Sequence, residues 1–514
     1  MKKILGIEFG STRIKAVLTD ENAAVTAQGA FEWENSLVGG LWSYDMNDAV
    51  KGLRASYGEL AENYEKKFGE PLTRVDAIGI SGMMHGYLAF DGNGRLLAPF
   101  RTWRNTNAKA AAEELTRLFG FHIPMRWSVS QFYQSVLDGL DHVHDVAHLN
   151  TLAGYVHSLL TGRRVLGLCE ASGMFPVSGG EYDAAMLGKF NSLLRSKGVA
   201  CDFGALLPEV LPAGAAAGVL TEEGARLIDP SGRLEPGAVL CPPEGDMGTG
   251  MVATNSIAPR TANVSSGTSA NICIVLEKPL KNYYEEIDIL NTPDGHPTAL
   301  VHTNNCTSEI NEWVNMFGEV AALCGAPTDK GELFTKLFRK SLESDGDVGG
   351  VTCYNYLAGE PMAGTANGAL MTLRRPDGNM TLANFMQAQI YTALAALALG
   401  IGILDRENVK IDSVTGHGGF YKTEFVGQNA TSAVLGAPVT VMKNAGEGGA
   451  WGVALLALFT ETGGGSLPAF LEKVFAGTEK TTVSASEDEK AKFQRFMRLY
   501  KAGLAAEKLA SESI

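Results

Sequence analysis

Two stretches far apart in the chain repeat one pattern of apolar and polar positions. Residues 4–18 and 262–276 each consist of an apolar β-rich run, a turn of glycine and hydroxyl residues, and a second β-rich run. The turns are Gly10-Ser11-Thr12 and Gly267-Thr268-Ser269. Each stretch predicts a β-hairpin. Because the two copies are separated by roughly half the chain, they indicate a duplicated domain.

Strand-like and helical patterns alternate along the rest of the chain. Residues 74–82 predict a buried strand that ends in a loop containing glycine, and residues 410–415 predict another that ends at Gly416-His417-Gly418-Gly419. After Asn47, apolar residues recur at helical spacing and predict a helix that covers the first sheet. This alternation is typical of α/β architecture.

The length of 514 residues is too great for one hydrophobic core. We predict an N-terminal domain over residues 1–257, a C-terminal domain over 258–465 and a helical tail over 466–514. The longest apolar stretch, residues 390–404, is shorter than the roughly 20 residues of a membrane span. We interpret it as a buried, alanine-rich helix between the domains.

Composition and charge exclude several classes of protein function. The chain is 45% hydrophobic and 19% charged, which predicts a folded protein. Its net charge of -14, with no cluster of Lys and Arg, argues against nucleic acid as a partner. Its seven cysteines form no C-x-x-C pair, which favours reduced thiols over a zinc site. The apolar run before Glu8 is too short for the core of a signal peptide. We therefore expect a cytoplasmic protein with reduced thiols and no membrane partner.

Candidate chemistry lies in the two turns and in one acidic loop. Turns that combine flexible backbone N–H groups with hydroxyls can hold phosphate oxygens. Asp246 follows the strand-like run 238–241 in a loop that contains Gly245 and Gly248. From the residues alone, Asp246 is either a catalytic base or an ordinary loop or helix-capping residue, and His85 is more typical of a structural histidine. The G-x-G-x-x-A run at 248–253 matches a dinucleotide-binding motif, but that motif should directly follow a strand. Here Pro242-Pro243 separates it from the preceding strand, which argues against a dinucleotide site.

Taken in order, several segments together resemble the FGGY family of carbohydrate kinases, in its xylulose-kinase-like branch. This family belongs to the superfamily of hexokinase, actin and the heat-shock-70 ATPases. The resemblance implies two actin-like, ribonuclease-H-like α/β domains that flank a nucleotide and sugar cleft. The segments are the two hairpins, Ser81-Gly82-Met83-Met84-His85-Gly86, Trp103-Arg104-Asn105-Thr106-Asn107, Pro242-Pro243-Glu244-Gly245-Asp246, Gly418-Gly419, and Glu447-Gly448-Gly449-Ala450.

The resemblance implies a role for each matching residue. ATP, as cofactor, would be bound by Gly10, Ser11, Thr12, Lys15, Gly267, Thr268, Gly418 and Gly419. The sugar would be bound by Gly82, Met84, His85, Trp103, Asn105 and Asp246. Asp246 would be the catalytic base, and Glu8 and Asp246 would serve Mg²⁺.

Three positions depart from the family pattern, one of them being Asn107, which replaces an Arg. Glu8 stands where relatives carry an Asp. Because Glu is one methylene longer, the sequence leaves open whether it contacts Mg²⁺ directly, through water or not at all. Asn105 also replaces an Asp, and an amide must place two N–H donors where a carboxylate only accepts. We therefore expect that D-xylulose is not the best substrate and that Asn105 influences the choice of sugar.

The function implied is transfer of the γ-phosphate of ATP to a hydroxyl of a small sugar, favouring a ketose such as xylulose or a related ketose or polyol. The alternative is a non-catalytic, actin-like nucleotide-binding module that acts through a protein partner. The Met84-His85 loop argues against this alternative, because a nucleotide switch needs no sugar site. A homodimer is compatible with either function.

Overall fold

A computed structural model describes residues 2–442 and 448–513. The chain divides into two compact units. Unit 1 contains residues 1–258, 288–298 and 447–477, and unit 2 contains residues 259–287, 299–446 and 478–514. Both units mix strands and helices, as the alternating sequence pattern predicts.

In the described residues, the strands are β1 Ile4–Phe9, β2 Arg13–Thr19, β3 Val25–Glu32, β4 Ser36–Val38, β5 Leu41–Ser43, β6 Ala77–Gly82, β7 Leu88–Phe90, β8 His148–Asn150, β9 Val165–Gly167, β10 Val177–Ser178, β11 Glu181–Tyr182, β12 Glu209–Leu211, β13 Gly218–Val219, β14 Val239–Leu240, β15 Glu244–Gly245, β16 Thr261–Ser266, β17 Ala270–Val275, β18 Asp288–Asn291, β19 Pro297–Thr303, β20 Val351–Asn355, β21 Leu370–Arg374, β22 Ser413–His417, β23 Val439–Met442 and β24 Lys480–Val483.

The helices are α1 Met46–Phe68, α2 Lys109–Phe119, α3 Ser128–Leu137, α4 Leu152–Thr161, α5 Leu168–Ser172, α6 Ala184–Ser196, α7 Phe203–Leu206, α8 Glu222–Ile228, α9 Asp246–Val252, α10 Ser308–Leu323, α11 Lys330–Lys340, α12 Leu382–Arg406, α13 Val426–Leu435, α14 Gly448–Glu461, α15 Leu467–Phe475 and α16 Glu487–Ser513.

The main sheet of unit 1 is built on the first predicted hairpin. Its strand order is β13-β14-β6-β1-β2-β3, and β15 pairs with the end of β6. β1 is antiparallel to β2 and parallel to β6. The helix predicted after Asn47 is α1, and its buried face includes Leu53, Tyr57, Leu60 and Tyr64. Asp45 caps its start and Gly69 ends it in the left-handed conformation, so local sequence sets both ends.

A helix from the distant end of the chain covers the other side of this sheet. α14 packs on β1, β2 and β6 and against α9. The approach is close because glycines line it. A Cβ on Gly6 would collide with the Ala450 carbonyl oxygen, and a Cβ on Gly452 with that of Thr249. The sheet of unit 1 therefore depends on residues 448–461.

The main sheet of unit 2 contains the second predicted hairpin. Six of its strands run in the order β19-β17-β16-β22-β23-β24. β16 is antiparallel to β17 and parallel to β22, which repeats the arrangement of β1 with β2 and β6. This repetition supports the duplication inferred from the sequence.

The apolar stretch predicted as a buried helix lies in α12. By length and composition α12 could cross a membrane, but 83% of its apolar window is buried inside the protein. Phe493 of α16 contacts the Tyr391 ring of α12 edge to face, and Phe496 of α16 contacts the same ring at a tilt. α12 is thus a core helix of unit 2.

The compact units differ from the predicted domain bounds at three places, the first being residues 288–298, which belong to unit 1. Residues 447–477 pack with unit 1, because α14 closes its sheet. Residues 478–514 pack with unit 2, because α16 buries Tyr500 against Tyr354. The three-part division of the chain stays a prediction about its organisation.

Candidate active site

The first turn is held by its carbonyl oxygens. The Trp33 indole N–H donates to the Gly10 carbonyl at 2.7 Å, and the Tyr44 hydroxyl donates to the Ser11 carbonyl at 2.6 Å. The Trp33 backbone N–H donates to the Thr12 carbonyl at 3.2 Å. These three hydrogen bonds fix the turn through its backbone carbonyls. This arrangement suits an anion site made of N–H and hydroxyl groups.

The second turn, in unit 2, is held in the same way. Thr307 donates to the Gly267 carbonyl from both its backbone N–H, at 3.1 Å, and its hydroxyl, at 2.7 Å. The Cys306 N–H donates to the Thr268 carbonyl at 2.9 Å. The two turns therefore share a physical design as well as a sequence pattern.

Gly418 and Gly419 lie beside the second turn. Gly418 has φ 105°, and a Cβ there would collide with the Ser266 carbonyl oxygen. Only glycine meets both conditions without strain. Of the matching segment Glu447-Gly448-Gly449-Ala450, Glu447 lies outside the described residues, whereas the other three residues begin α14.

Asp246 is placed by a strand pairing and a helix start. β15 pairs with β6 so that Gly245 lies opposite Gly82, and Asp246 then begins α9. One Asp246 carboxylate oxygen accepts hydrogen bonds from the Met84 N–H at 3.3 Å and the Met247 N–H at 3.0 Å. Desolvation raises the pKa of this carboxyl to about 6, although both backbone donors lower it. Water still reaches the residue, which is exposed.

Glu8 is the next-to-last residue of β1 and lies close to the same carboxylate. It accepts a hydrogen bond from the Ala450 N–H at 3.2 Å, and it lies opposite Lys15 in the hairpin. Burial and the negative charge of Asp246 raise its pKa to about 7, and Lys15 opposes this rise. Two carboxylates that repel each other are a donor set that suits a divalent cation. Within the described residues, no group of three or more His, Cys, Asp or Glu could hold a metal by itself.

The Met84-His85 loop combines a buried side chain with a positioned imidazole. The Met84 side chain packs near Gly245 and Gly173, so this residue reaches the site through its N–H to Asp246. His85 has φ 69°, and its Nδ1 is 3.3 Å from the Gly173 carbonyl oxygen. Since a carbonyl only accepts, Nδ1 carries the proton, and Nε2 is left as an acceptor. Burial and the positive charge of Arg126 lower the pKa of His85 to about 3, so the ring is neutral.

The Asn105 side chain is held by hydrogen bonds to backbone. Its amide oxygen accepts from the Trp42 N–H at 2.8 Å, and its NH₂ donates to the carbonyls of Trp42, at 2.8 Å, and Thr102, at 3.2 Å. The residue is buried. Its oxygen and its NH₂ thus both bind backbone, and a role of Asn105 in sugar binding stays a prediction. By contrast, Trp103 is exposed and donates to the Ser11 hydroxyl at 3.3 Å.

Two buried acids behind Asp246 were missed by the sequence argument. Glu170 in α5 and Glu244 in β15 are almost inaccessible to solvent, and Glu244 accepts from the Glu170 N–H at 3.0 Å. Burial raises the pKa of Glu244 to about 8 and that of Glu170 well above its usual range. Glu244 stands in the segment that was singled out for Asp246, but no local pattern marks Glu170.

Comparisons with known proteins bear on the same residues. The model of the FGGY carbohydrate kinase N-terminal domain matches residues 3–133, and that of the C-terminal domain matches residues 262–461. Xylulose kinase of Haemophilus influenzae is 22% identical over 366 residues, which are 68% of this chain and 69% of that protein.

Solved structures show the same fold over almost the whole chain. A ligand-bound xylulose kinase from Lactobacillus acidophilus has a TM-score of 0.80 at 17% identity, with 99% of this chain and 100% of that chain covered. A gluconate kinase from the same organism has the same TM-score, identity and coverage. The actin-like two-domain α/β fold is therefore confirmed. Since the two family models together span more than half of the chain, the protein belongs to the FGGY family of carbohydrate kinases and is an ATP-dependent sugar kinase.

Proposed function

We propose that this kinase phosphorylates a hydroxyl of a small ketose, such as xylulose or a related ketose. The observation that carries the proposal is the hydrogen bond from the Met84 N–H to the Asp246 carboxylate. It joins the proposed base to the loop that presents His85, so the proton acceptor and a sugar-binding group form one assembly. The name of the Haemophilus influenzae relative supports a ketopentose.

In this proposal Asp246 takes the proton of the attacking hydroxyl. Its pKa of about 6 leaves the carboxylate mostly deprotonated at neutral pH, yet close enough to accept a proton in the transition state. Nε2 of His85 accepts a hydrogen bond from a sugar hydroxyl. The turn at Gly10-Ser11-Thr12 in unit 1 and the turn at Gly267-Thr268 in unit 2 are each proposed to bind phosphate oxygens.

We propose Mg²⁺ as the second cofactor, near Glu8 and Asp246. Mg²⁺ commonly keeps several waters and is held by one or two carboxylates and by substrate phosphates, which matches this donor set. When bound, it would offset charge on the phosphate oxygens. A cytoplasmic location, where ATP is available, belongs to the same proposal.

The decisive experiment is a substrate panel. ATP consumption would be measured with D-xylulose, other ketoses, polyols and gluconate, each with wild-type protein and with Asp246→Asn. Fast turnover with a ketose, lost in the variant, is the expected result. Fast turnover with gluconate or a polyol, and little with any ketose, would contradict the proposed substrate class.

The same panel separates the enzyme from the nucleotide-binding module considered earlier. A module of that kind binds ATP without sugar-dependent turnover. Family membership already disfavours it. Sugar-dependent formation of ADP and a sugar phosphate in equal amounts would exclude it.

A further inference from the structure

Three consecutive residues hold the loop that carries His85. The Arg126 carbonyl accepts a hydrogen bond from the Gly86 N–H at 3.5 Å, and the Ser128 hydroxyl donates to the Gly86 carbonyl at 2.5 Å. Between them, Trp127 stacks on the His85 ring, with centroids 6.3 Å apart and planes inclined by 20°. Trp127 is fully buried, so this support is rigid. We call residues 126–128 the histidine platform.

A second segment of unit 1 comes from within the region that matches the C-terminal family domain. Residues 288–298 lie within the matched C-terminal region, yet they pack with unit 1. We call them the strap. Its Asn291 N–H donates to the Ser172 hydroxyl in α5 at 3.0 Å, and its Pro293 carbonyl accepts from the Ala213 N–H at 3.1 Å. The strap is therefore attached next to the helix whose following residue, Gly173, binds Nδ1 of His85.

Arg126 also binds the strap through its side chain. Its guanidinium makes an ion pair with Asp288, and His122 Nε2 is 3.3 Å from the other oxygen of the same carboxylate. The Asp288 side chain is only 10% exposed. Although burial alone would raise the pKa of Asp288, Arg126 and His122 lower it to about 2, so the carboxylate stays charged. Loss of either partner would leave the other charge poorly compensated in a buried position.

We infer that Arg126 is a positioning residue that couples the strap to the sugar-binding histidine. One residue fixes the Gly86 end of the His85 loop with its backbone and the strap with its side chain. Release of the strap would allow the histidine platform to shift, and His85 would shift with it. Misplacement of a binding group by about 1 Å is costly for an enzyme. The inference rests on the proposed function in taking His85 as a group that binds sugar.

The test uses Arg126→Gln, Asp288→Asn and the double variant in the full-length protein. We expect KM for the best sugar of the panel to rise about tenfold or more in each single variant, while KM for ATP changes by less than about twofold. The double variant should be no worse than the more affected single variant, because both changes break one link. A purely structural role would lower stability without this split between the two KM values.

Arg163→Gln is the matched control. Arg163 makes an ion pair with Glu209 at 3.0 Å on the surface of unit 1, and both side chains are substantially exposed. An exposed pair of this kind contributes little, so neither KM should change. If Arg126→Gln does not fold, Asp288→Asn decides alone, since it keeps the shape of the side chain.

Hydrogen exchange of the sugar-free and ATP-free protein gives an independent readout. Asp288→Asn should speed exchange in residues 288–298 and also in residues 84–87. Faster exchange in the strap alone, or an unchanged sugar KM in a folded variant, would overturn the inference. If wild-type protein phosphorylates no sugar, the proposed function fails, whereas the exchange result still decides whether the strap and the His85 loop are coupled.

Discussion

At the scale of single residues, Asp246 carries the proposed proton transfer. Asp246→Asn keeps the shape of the side chain and an oxygen that can accept from the Met84 N–H, but it removes the base. We expect turnover to fall by about 10² or more, since general-base assistance contributes 10²–10⁴. ATP affinity and thermal stability should be close to those of wild type.

Steady-state kinetics together with nucleotide titration would check this expectation. A variant that keeps near-normal turnover with the same sugar would show that another group accepts the proton. Glu8 would then be the next residue to change, because its carboxyl is coupled to that of Asp246.

Asn105 leads to a prediction about stability in place of the earlier one about specificity. In Asn105→Asp, the carboxylate can still accept from the Trp42 N–H, but it cannot donate to the carbonyls of Trp42 and Thr102. Leaving buried groups unpaired costs roughly 1–3 kcal/mol of unfolding free energy. We expect that loss in chemical denaturation, with the ranking of ketoses unchanged.

Asn47→Asp is the control for Asn105→Asp, because it makes the same chemical change on the exposed first turn of α1. A negative charge near a helix N-terminus is neutral or slightly favourable, so no loss of stability should follow. A changed ketose ranking in Asn105→Asp, with full stability, would restore the original specificity hypothesis.

The motif around Asn105 identifies a family segment, but it does not show what the amide contacts. Its partner, Trp42, lies 63 positions earlier in the chain. The same limit explains why Glu170 was missed and why the pairing of Arg126 with Asp288 has no sequence signal. In contrast, Asp246 and the two turns could be found because each has a local pattern of glycine and polar residues.

At the scale of elements, α14 packs through glycines on its sheet and on α9, and the contact with α9 can be tested directly. A Cβ on Gly452 would collide with the Thr249 carbonyl oxygen, which is backbone and cannot move aside alone. Gly452→Ala should therefore destabilise the protein by about 1–3 kcal/mol through overpacking. Thermal and chemical denaturation measure the effect.

Gly58→Ala in α1 is the matched substitution. A Cβ at Gly58 meets nothing within 4 Å, so the change should stabilise the helix by about 0.5–1 kcal/mol. Opposite signs at the two glycines are the expected pattern. Equal effects would show that helix propensity, rather than close packing, determines the outcome at Gly452.

Periodicity predicted the elements whose apolar pattern is local. The hairpin β1-β2, the hairpin β16-β17, and α1 all appear where the pattern places them. The predicted strands at 74–82 and 410–415 correspond to β6 at Ala77–Gly82 and β22 at Ser413–His417, so their starts differ. Periodicity could not predict which elements pack together, such as α14 on β1. The apolar faces of different helices have similar sequences, so the pattern does not show which strand each helix covers.

At the scale of the whole molecule, several acids with raised pKa values make stability depend on pH. Desolvation raises the pKa of Glu8 and of Glu360 to about 7, that of Glu244 to about 8 and that of Asp246 to about 6. Each folded-state pKa lies above the unfolded value, so the folded protein holds protons that the unfolded chain has released. Stability from these groups is present below about pH 4 and is lost as pH rises toward 8.

Buried histidines act in the opposite direction. The pKa of His85 is lowered to about 3 and that of His157 to about 4, mainly by burial. Between those values and 6.5 the unfolded chain binds protons that the folded protein does not, so stability falls as pH drops below 6.5. We expect the melting temperature to be highest in mildly acidic solution.

Glu360→Gln tests this balance away from the proposed active site. Glu360 is buried in unit 2 and accepts from the Asn304 N–H at 3.1 Å and the Asn305 amide at 3.3 Å. Residue 360 cannot ionise in the variant. The melting temperature of the variant minus that of wild type should therefore increase as pH rises from 5 to 8. A constant difference over this range would show that Glu360 titrates normally.

The return of residues 448–461 to the first sheet has a consequence for how the chain is made. A ribosome releases β1 at the start of synthesis, but α14, which covers β1, emerges only when about nine-tenths of the chain has been translated. During that interval the glycine-lined face of the sheet lacks its cover, and the nascent chain is a natural client for a chaperone. A fragment that stops at residue 258 would stay in this condition permanently.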